Sequence, residues 1–122
     1  MRSKPLGDWG ERLAADHLSR QGWTIHDRNF RVGRKEIDLI AERAGVLAFI
    51  EVKVRTGAGF GHPLEAVTWR KRREIGQVAT GWIDRFGHEG LTYRFDAIAV
   101  TRAPGGKATL EHVENAWRLD GS

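Results

Sequence analysis

Three charged residues interrupt two apolar, strand-like runs: Asp38 in Glu36-Ile37-Asp38-Leu39-Ile40, and Glu51 and Lys53 in Phe49-Ile50-Glu51-Val52-Lys53. Charged side chains rarely occupy the half-buried face of a strand unless they are paired or functional. Two acids followed by a lysine form the constellation of a metal-dependent phosphodiesterase. The carboxylates suit a hard divalent cation, and an ammonium suits the charge that develops on a phosphoryl group under attack.

The spacing supports a common site. Residues 36–41 and 46–54 read as strands separated by Glu42-Arg43-Ala44-Gly45, in which Gly45 supplies the turn signal. A hairpin folded about the Ala44–Gly45 bond sets Ile40 opposite Phe49, Asp38 opposite Glu51 and Glu36 opposite Lys53. All six then share one sheet face, because side chains alternate with period two. A loop shifted by one residue would instead pair Asp38 with Ile50 or Val52. In the first register the two carboxylates face each other at roughly 4.5–5.5 Å between Cβ atoms, where like charges destabilise the fold. Mg²⁺ or Mn²⁺ would compensate, and so would Lys53 by lowering the carboxylate pKa values. The structural alternative is a Glu36–Lys53 ion pair with one acid protonated or solvated at a strand end.

The remaining chain supplies elements that could position such a hairpin. Residues 7–21 read as a helix ending at Gly22, and 23–31 as a first strand. Thr56 to Pro63 is a glycine-rich loop, roughly 64–86 a long amphipathic helix, 91–101 a fourth strand and 108–113 a last one. The order αβββαββ implies an α/β fold, a mixed sheet flanked by helices, and 1–122 forms one domain. On the first helix Glu11 falls beside Ala14 and Leu18 at the edge of the core-facing stripe. From there it could reach the acidic site, or it could serve the helix dipole as a first-turn acid.

Composition points to an anionic partner. The 122 residues carry 20 Lys+Arg against 16 Asp+Glu, a net charge of +4, with a pI near 10.0, which favours nucleic acid. The absence of cysteine excludes disulfides, thiolate metal sites and cysteine nucleophiles. No apolar run approaches the ~18 residues of a membrane span and no signal-peptide core is present, so a soluble, cytoplasmic protein with no membrane partner is expected. Arg70-Lys71-Arg72-Arg73 and Arg55 fit phosphate contacts, the alternative for the run being a solvated helix face. The glycine-rich loop lacks a phosphate-loop Lys-Ser/Thr signature, and the five histidines show no zinc spacing. Arg94 and Asp96 share a strand face as a structural ion pair. Trp9, Trp69 and Trp82 fall in helices and are expected in the core or an interface.

Together these residues carry a resemblance. Gly10-Glu11 with Ala14, Leu18 and Gly22-Trp23, then Arg28-Asn29-Phe30, Glu36-Ile37-Asp38-Leu39-Ile40-Ala41, Phe49-Ile50-Glu51-Val52-Lys53-Val54-Arg55 and Arg94-Phe95-Asp96 resemble the small bacterial YraN-type family. The resemblance implies the restriction-endonuclease-like PD-(D/E)xK fold, similar in layout to archaeal Holliday-junction resolvases. It implies Asp38 and Glu51 as metal ligands, Lys53 as the catalytic lysine and Glu11 as a helix-borne acid near the metal. Two departures stand out: Lys35 where the family has glycine before Glu-Ile-Asp, and Ile37 where the superfamily has its nominal proline. The implied function is a Mg²⁺- or Mn²⁺-dependent endonuclease acting on branched or structured DNA, with a homodimer by analogy to the resolvases. The alternative is a nucleic-acid-binding protein that keeps the fold without useful turnover.

Overall fold

The computed structural model describes residues 4–122. Its elements run α1 (Lys4–Arg20), β1 (Thr24–Val32), β2 (Lys35–Arg43), β3 (Val46–Thr56), a 3₁₀ turn (Pro63–Ala66), α2 (Trp69–Phe86), β4 (Thr92–Arg102) and β5 (Ala108–Trp117). The five strands form one mixed sheet in sequence order, β1-β2-β3-β4-β5. Neighbours are antiparallel except β3 and β4, which are parallel. Parallel neighbours cannot be joined by a tight turn, and α2 supplies the crossover between them. The order αβββαββ is as the sequence leads one to expect.

Alternation along the central strands builds two cores. Ile40 and Phe49 point toward α2 and pack with Ile75, Val78 and Trp82. Their neighbours Leu39, Ala41, Ala48 and Ile50 point toward α1 and pack with Ala14, Ala15 and Leu18. A sheet covered on both faces explains why β2 and β3 read as near-continuous apolar runs. Phe49 anchors the α2 side, its ring centroid 5.9 Å from Trp82 and 5.7 Å from Phe95. On the other side α1 lies so close to β3 that no side chain would fit at Gly10 against Val54. The first helix stops in a Schellman turn: Trp23 N–H donates to the Leu18 carbonyl (3.0 Å) and Gly22 N–H to that of Ser19 (3.1 Å). Gly22, at φ 88°, takes the left-handed conformation this turn needs.

The hairpin register follows the expectation. Leu39 pairs with Ile50, Ile40 with Phe49 and Ala41 with Ala48. Its two-residue turn places Ala44 at φ 51° and Gly45 at φ 78°, the signs of a type I′ turn. The regular ladder ends at Leu39–Ile50, so Asp38 and Glu51 lie just past it. There the Val52 N–H donates to Asp38 Oδ2 at 2.8 Å, a side chain taking the place of a backbone acceptor.

The second helix begins later than its apolar pattern suggests. Val67 and Thr68 are extended, and Thr68 Oγ1 caps α2 by accepting from Lys71 N–H at 3.1 Å. Residues 63–66 form a separate 3₁₀ turn, capped by His62, whose Nδ1 accepts from Leu64 N–H. This break carries Ala66, Thr68 and Lys71 to the wall of the cleft over the β2–β3 hairpin. The last strand is also longer than expected and reaches Trp117 through an irregular stretch opposite Asp96.

Candidate active site

Glu36, Asp38, Glu51, Lys53, Val54, Ala66, Thr68 and Lys71 line a cleft of about 510 Å³ between the sheet and the start of α2. The acid–acid–lysine set expected from the sequence therefore converges in one place. Asp38 and Glu51 are each only 4% exposed. Burial, then the neighbouring Asp38 charge and a hydrogen bond between the two carboxyls, push the Glu51 pKa well above the usual carboxylate range. Lys71 and Lys53 oppose that shift without cancelling it.

Lys71 is the side chain of the cleft whose placement the sequence does not disclose. Its Nζ lies 3.9 Å from Glu51 Oε2, across the cleft from the hairpin. The cap at Thr68 orients it: with α2 starting at Trp69, the third residue of the helix turns toward the sheet. Glu36 does not pair with Lys53; its carboxylate lies 3.0 Å from Arg31 Nε on the neighbouring strand. That leaves Lys53 half-buried on the cleft wall, where its charge acts on Glu51.

Among the described residues, no group of three or more His, Cys, Asp or Glu is gathered for a metal. The donor set is two carboxylates, and Glu51 Oε2 is buried without a hydrogen-bond partner. This fits a cation that accepts one or two protein carboxylates and completes its shell with water and substrate phosphate, as Mg²⁺ does. Glu11 is half-buried beside Gly10 where α1 crosses Val54, and it is not among the residues lining the cleft.

The basic run divides by direction. Arg70 is exposed and pairs loosely with Glu74 (3.5 Å), Arg73 is exposed, and Lys71 faces the acids. Arg72, expected among the phosphate contacts, turns inward to the protein's own backbone. Its guanidinium donates to the carbonyls of Val67 (3.0 Å), Leu64 (3.2 Å) and Gly121 (3.2 Å) and lies over the Trp117 ring. Arg55 donates to the Gly61 carbonyl (3.0 Å) and covers the Phe60 ring, which ties the glycine-rich loop back to β3.

Away from the cleft, Asp96 is the fully buried acid of a structural cluster. It accepts from Arg94 (3.0 and 3.2 Å) and the Asn115 N–H (2.9 Å), and His112 Nε2 lies 2.8 Å away. Burial would raise its pKa, but the bonds to His112, Asn115 and Arg94 together hold it below the usual range. The expected Arg94–Asp96 pair is therefore present within a larger network. Of the helix tryptophans, Trp82 is buried and donates to Asp27 Oδ2 (2.8 Å), and Trp9 is partly buried against the α1-side core. Trp69 departs from the expectation: it is 54% exposed. No described helix is long and apolar enough to cross a membrane.

Comparison with known proteins places this architecture in a family. Residues 10–100 match the model of the uncharacterised protein family UPF0102. A UPF0102 protein of Trichlorobacter lovleyi is 43% identical over 118 residues, covering 96% of this chain and 93% of the relative. One from Chlorobaculum parvum is 54% identical over 95 residues, 78% of this chain and 74% of the relative. One from Rhodococcus opacus is 42% identical over 112 residues, 92% and 95% respectively. With matches of this extent, the chain belongs to UPF0102, the YraN family.

Proposed function

We propose that the protein is a metal-dependent endonuclease that hydrolyses phosphodiester bonds in branched or structured DNA, with Mg²⁺ or Mn²⁺ held by Asp38 and Glu51. The observation that carries this reading is the pair of buried carboxylates in an open cleft that two lysines also line. Buried like charges raise the free energy of the folded chain, and a surface that only binds nucleic acid has no use for them.

A divalent cation would supply Lewis acidity to a phosphoryl oxygen and acidity to a water molecule. The side chains have separate tasks. Asp38 is fixed in direction by the Val52 N–H, which leaves its second oxygen for the cation. Glu51 would provide the facing oxygen to the same cation. Lys53 orients the attacking water and stabilises the charge that builds on the phosphoryl oxygens as the phosphorus–oxygen bond breaks. Lys71, on the far wall, takes a non-bridging oxygen of the bound phosphate. Glu11, half-buried on α1 and not among the residues lining the cleft, has no step in this scheme.

Incubation with linear, flapped and four-way-junction DNA, in Mg²⁺, Mn²⁺ or EDTA, tests the proposal. Cleavage of a branched substrate is expected with either cation and none with EDTA. Binding without cleavage under every condition would favour the second reading, a binding protein of the same fold. The restriction of the site to two carboxylates is the observation on that side.

The divided basic run makes a further expectation. Neutralising Arg70 and Arg73 should weaken binding to all DNA sequences alike and lower the slope of log K against log salt by roughly 0.7–0.9 for each phosphate no longer neutralised. Arg72→Ala should instead lower the melting temperature, because it frees three carbonyls. An unchanged salt slope in the Arg70/Arg73 variant would make those residues a solvated face.

A further inference from the structure

Trp69 opens α2 with half of its surface in water, an unusual place for the largest apolar side chain. The exposed rings of Phe60 and Phe86 each carry an arginine over them, Arg55 at 4.8 Å and Arg85 at 5.0 Å from the centroid. Among the described residues no cation or second ring covers Trp69. Its ring is nevertheless not loose, because it rests on the backbone of Gly121. A Cβ there would come within 2.7 Å of Cζ3 and 2.9 Å of Cε3, and Gly121 is held at φ 89°.

The support under the ring is itself fastened. Arg118 N–H donates to the Ser122 carbonyl (3.0 Å), Gly121 N–H to that of Arg118 (2.7 Å), and Arg72 binds the Gly121 carbonyl. A large aromatic ring is thus braced by backbone on one side and open on the other. Its immediate neighbours are cationic: Arg70 follows it, and Arg73 stands one helical turn on, the same side of α2. Thr68, the residue before it, and Lys71, two residues after it, line the acidic cleft, so the ring stands at the same end of α2 as the cleft.

We propose that Trp69 is a stacking platform for an unpaired base, so that the cleft receives DNA or RNA with a single-stranded segment beside the phosphate it engages. The inference rests on the nucleic-acid reading above and adds the substrate feature. Stacking on a braced ring is insensitive to base identity and cannot be made by a base still paired inside a duplex. Flanking arginines supply the backbone attraction that stacking alone lacks. Pre-ordering of the ring by Gly121 removes part of the entropic cost of ordering a mobile side chain.

The test measures binding of three labelled probes of equal length in EDTA: a thymidine oligonucleotide, its fully abasic counterpart and a blunt duplex. Trp69→Ala should bind the thymidine strand about ten-fold more weakly, with affinity for the abasic strand and the duplex within about two-fold of wild type. Trp69→Phe should recover most of that affinity, and the salt slope should stay unchanged. Equal weakening on the thymidine and abasic strands, or no weakening on any probe, would overturn the proposal. So would a concentration-dependent dimer in sedimentation that Trp69→Ala abolishes, which would make the ring an interface between two copies of this chain. Failure of the wild type to bind any probe would sink the nucleic-acid reading itself. Binding with the expected Trp69 dependence but no cleavage would remove only the nuclease.

Discussion

Lys53→Ala is expected to reduce the cleavage rate by about 10²–10³-fold while leaving DNA affinity within a few-fold of wild type. The asymmetry follows from where the side chain sits. Lys53 is half-buried on the cleft wall with the acids, whereas Arg70 and Arg73 of α2 are exposed and do not line the cleft. Ground-state attraction for a polyanion comes mostly from the outer charges, whereas an ammonium at the reacting phosphate gains strength only as negative charge builds on its oxygens. The missing stabilisation should therefore appear in the rate at saturating DNA. Lys71 gives the contrast. It faces the same acids from α2, and Lys71→Ala should weaken binding as well as rate, since it grips the ground-state phosphate. Single-turnover rates and anisotropy titrations of the two variants separate these outcomes. A Lys53→Ala protein that cuts at the wild-type rate would remove Lys53 from the mechanism and leave the cleft without its catalytic cation.

What the sequence discloses of this molecule is set by the range of the forces involved. The β2–β3 register is legible because the two-residue turn at Ala44–Gly45 is local and because a one-residue slip would exchange the two buried faces. Asp38, Glu51 and Lys53 are legible for the same reason, as charges set among apolar strand residues. The basic run is different. Four consecutive residues on a helix point in four directions, and which of them faces the acids depends on where the helix starts. Thr68 decides that; its signal is a capping residue ahead of a helical run, easily overridden by the apolar residues upstream that extend the helical pattern. Arg72 and Trp69 depend on a still longer-range event, the docking of the Arg118–Ser122 turn against α2. Nothing near residue 70 encodes that docking. The irregular end of β5 is obscured likewise, because Asn115, at φ 51°, bends the strand so that its N–H can reach the buried Asp96.

Glu51→Gln should give an inactive protein that melts at the wild-type temperature in acid and increasingly above it as the pH rises, in metal-free buffer. The Glu51 pKa is raised in the folded state by burial and by Asp38, so the folded chain holds this proton more tightly than the unfolded chain. Stability from such a group is fully present below the unfolded carboxyl pKa and is lost as pH rises through the folded one. Glutamine is close in shape, carries no charge at any pH and escapes that decline. Two charges about 4 Å apart repel by about 1 kcal/mol at the dielectric of water and about 4 kcal/mol at an effective dielectric of ~20, which brackets the expected gain at alkaline pH. Mg²⁺ should close the gap from the other side. By binding only the folded, deprotonated pair it should raise the wild-type melting temperature, more strongly at about pH 8 than at about pH 6, and leave Glu51→Gln nearly unmoved. Thermal melts of both proteins from about pH 5 to 9, with EDTA and with Mg²⁺, contain the whole test. A gap that stays constant across pH, with equal responses to the cation, would mean that Glu51 is held as a structural acid by Lys71 and Lys53, and the metal site would fall with it.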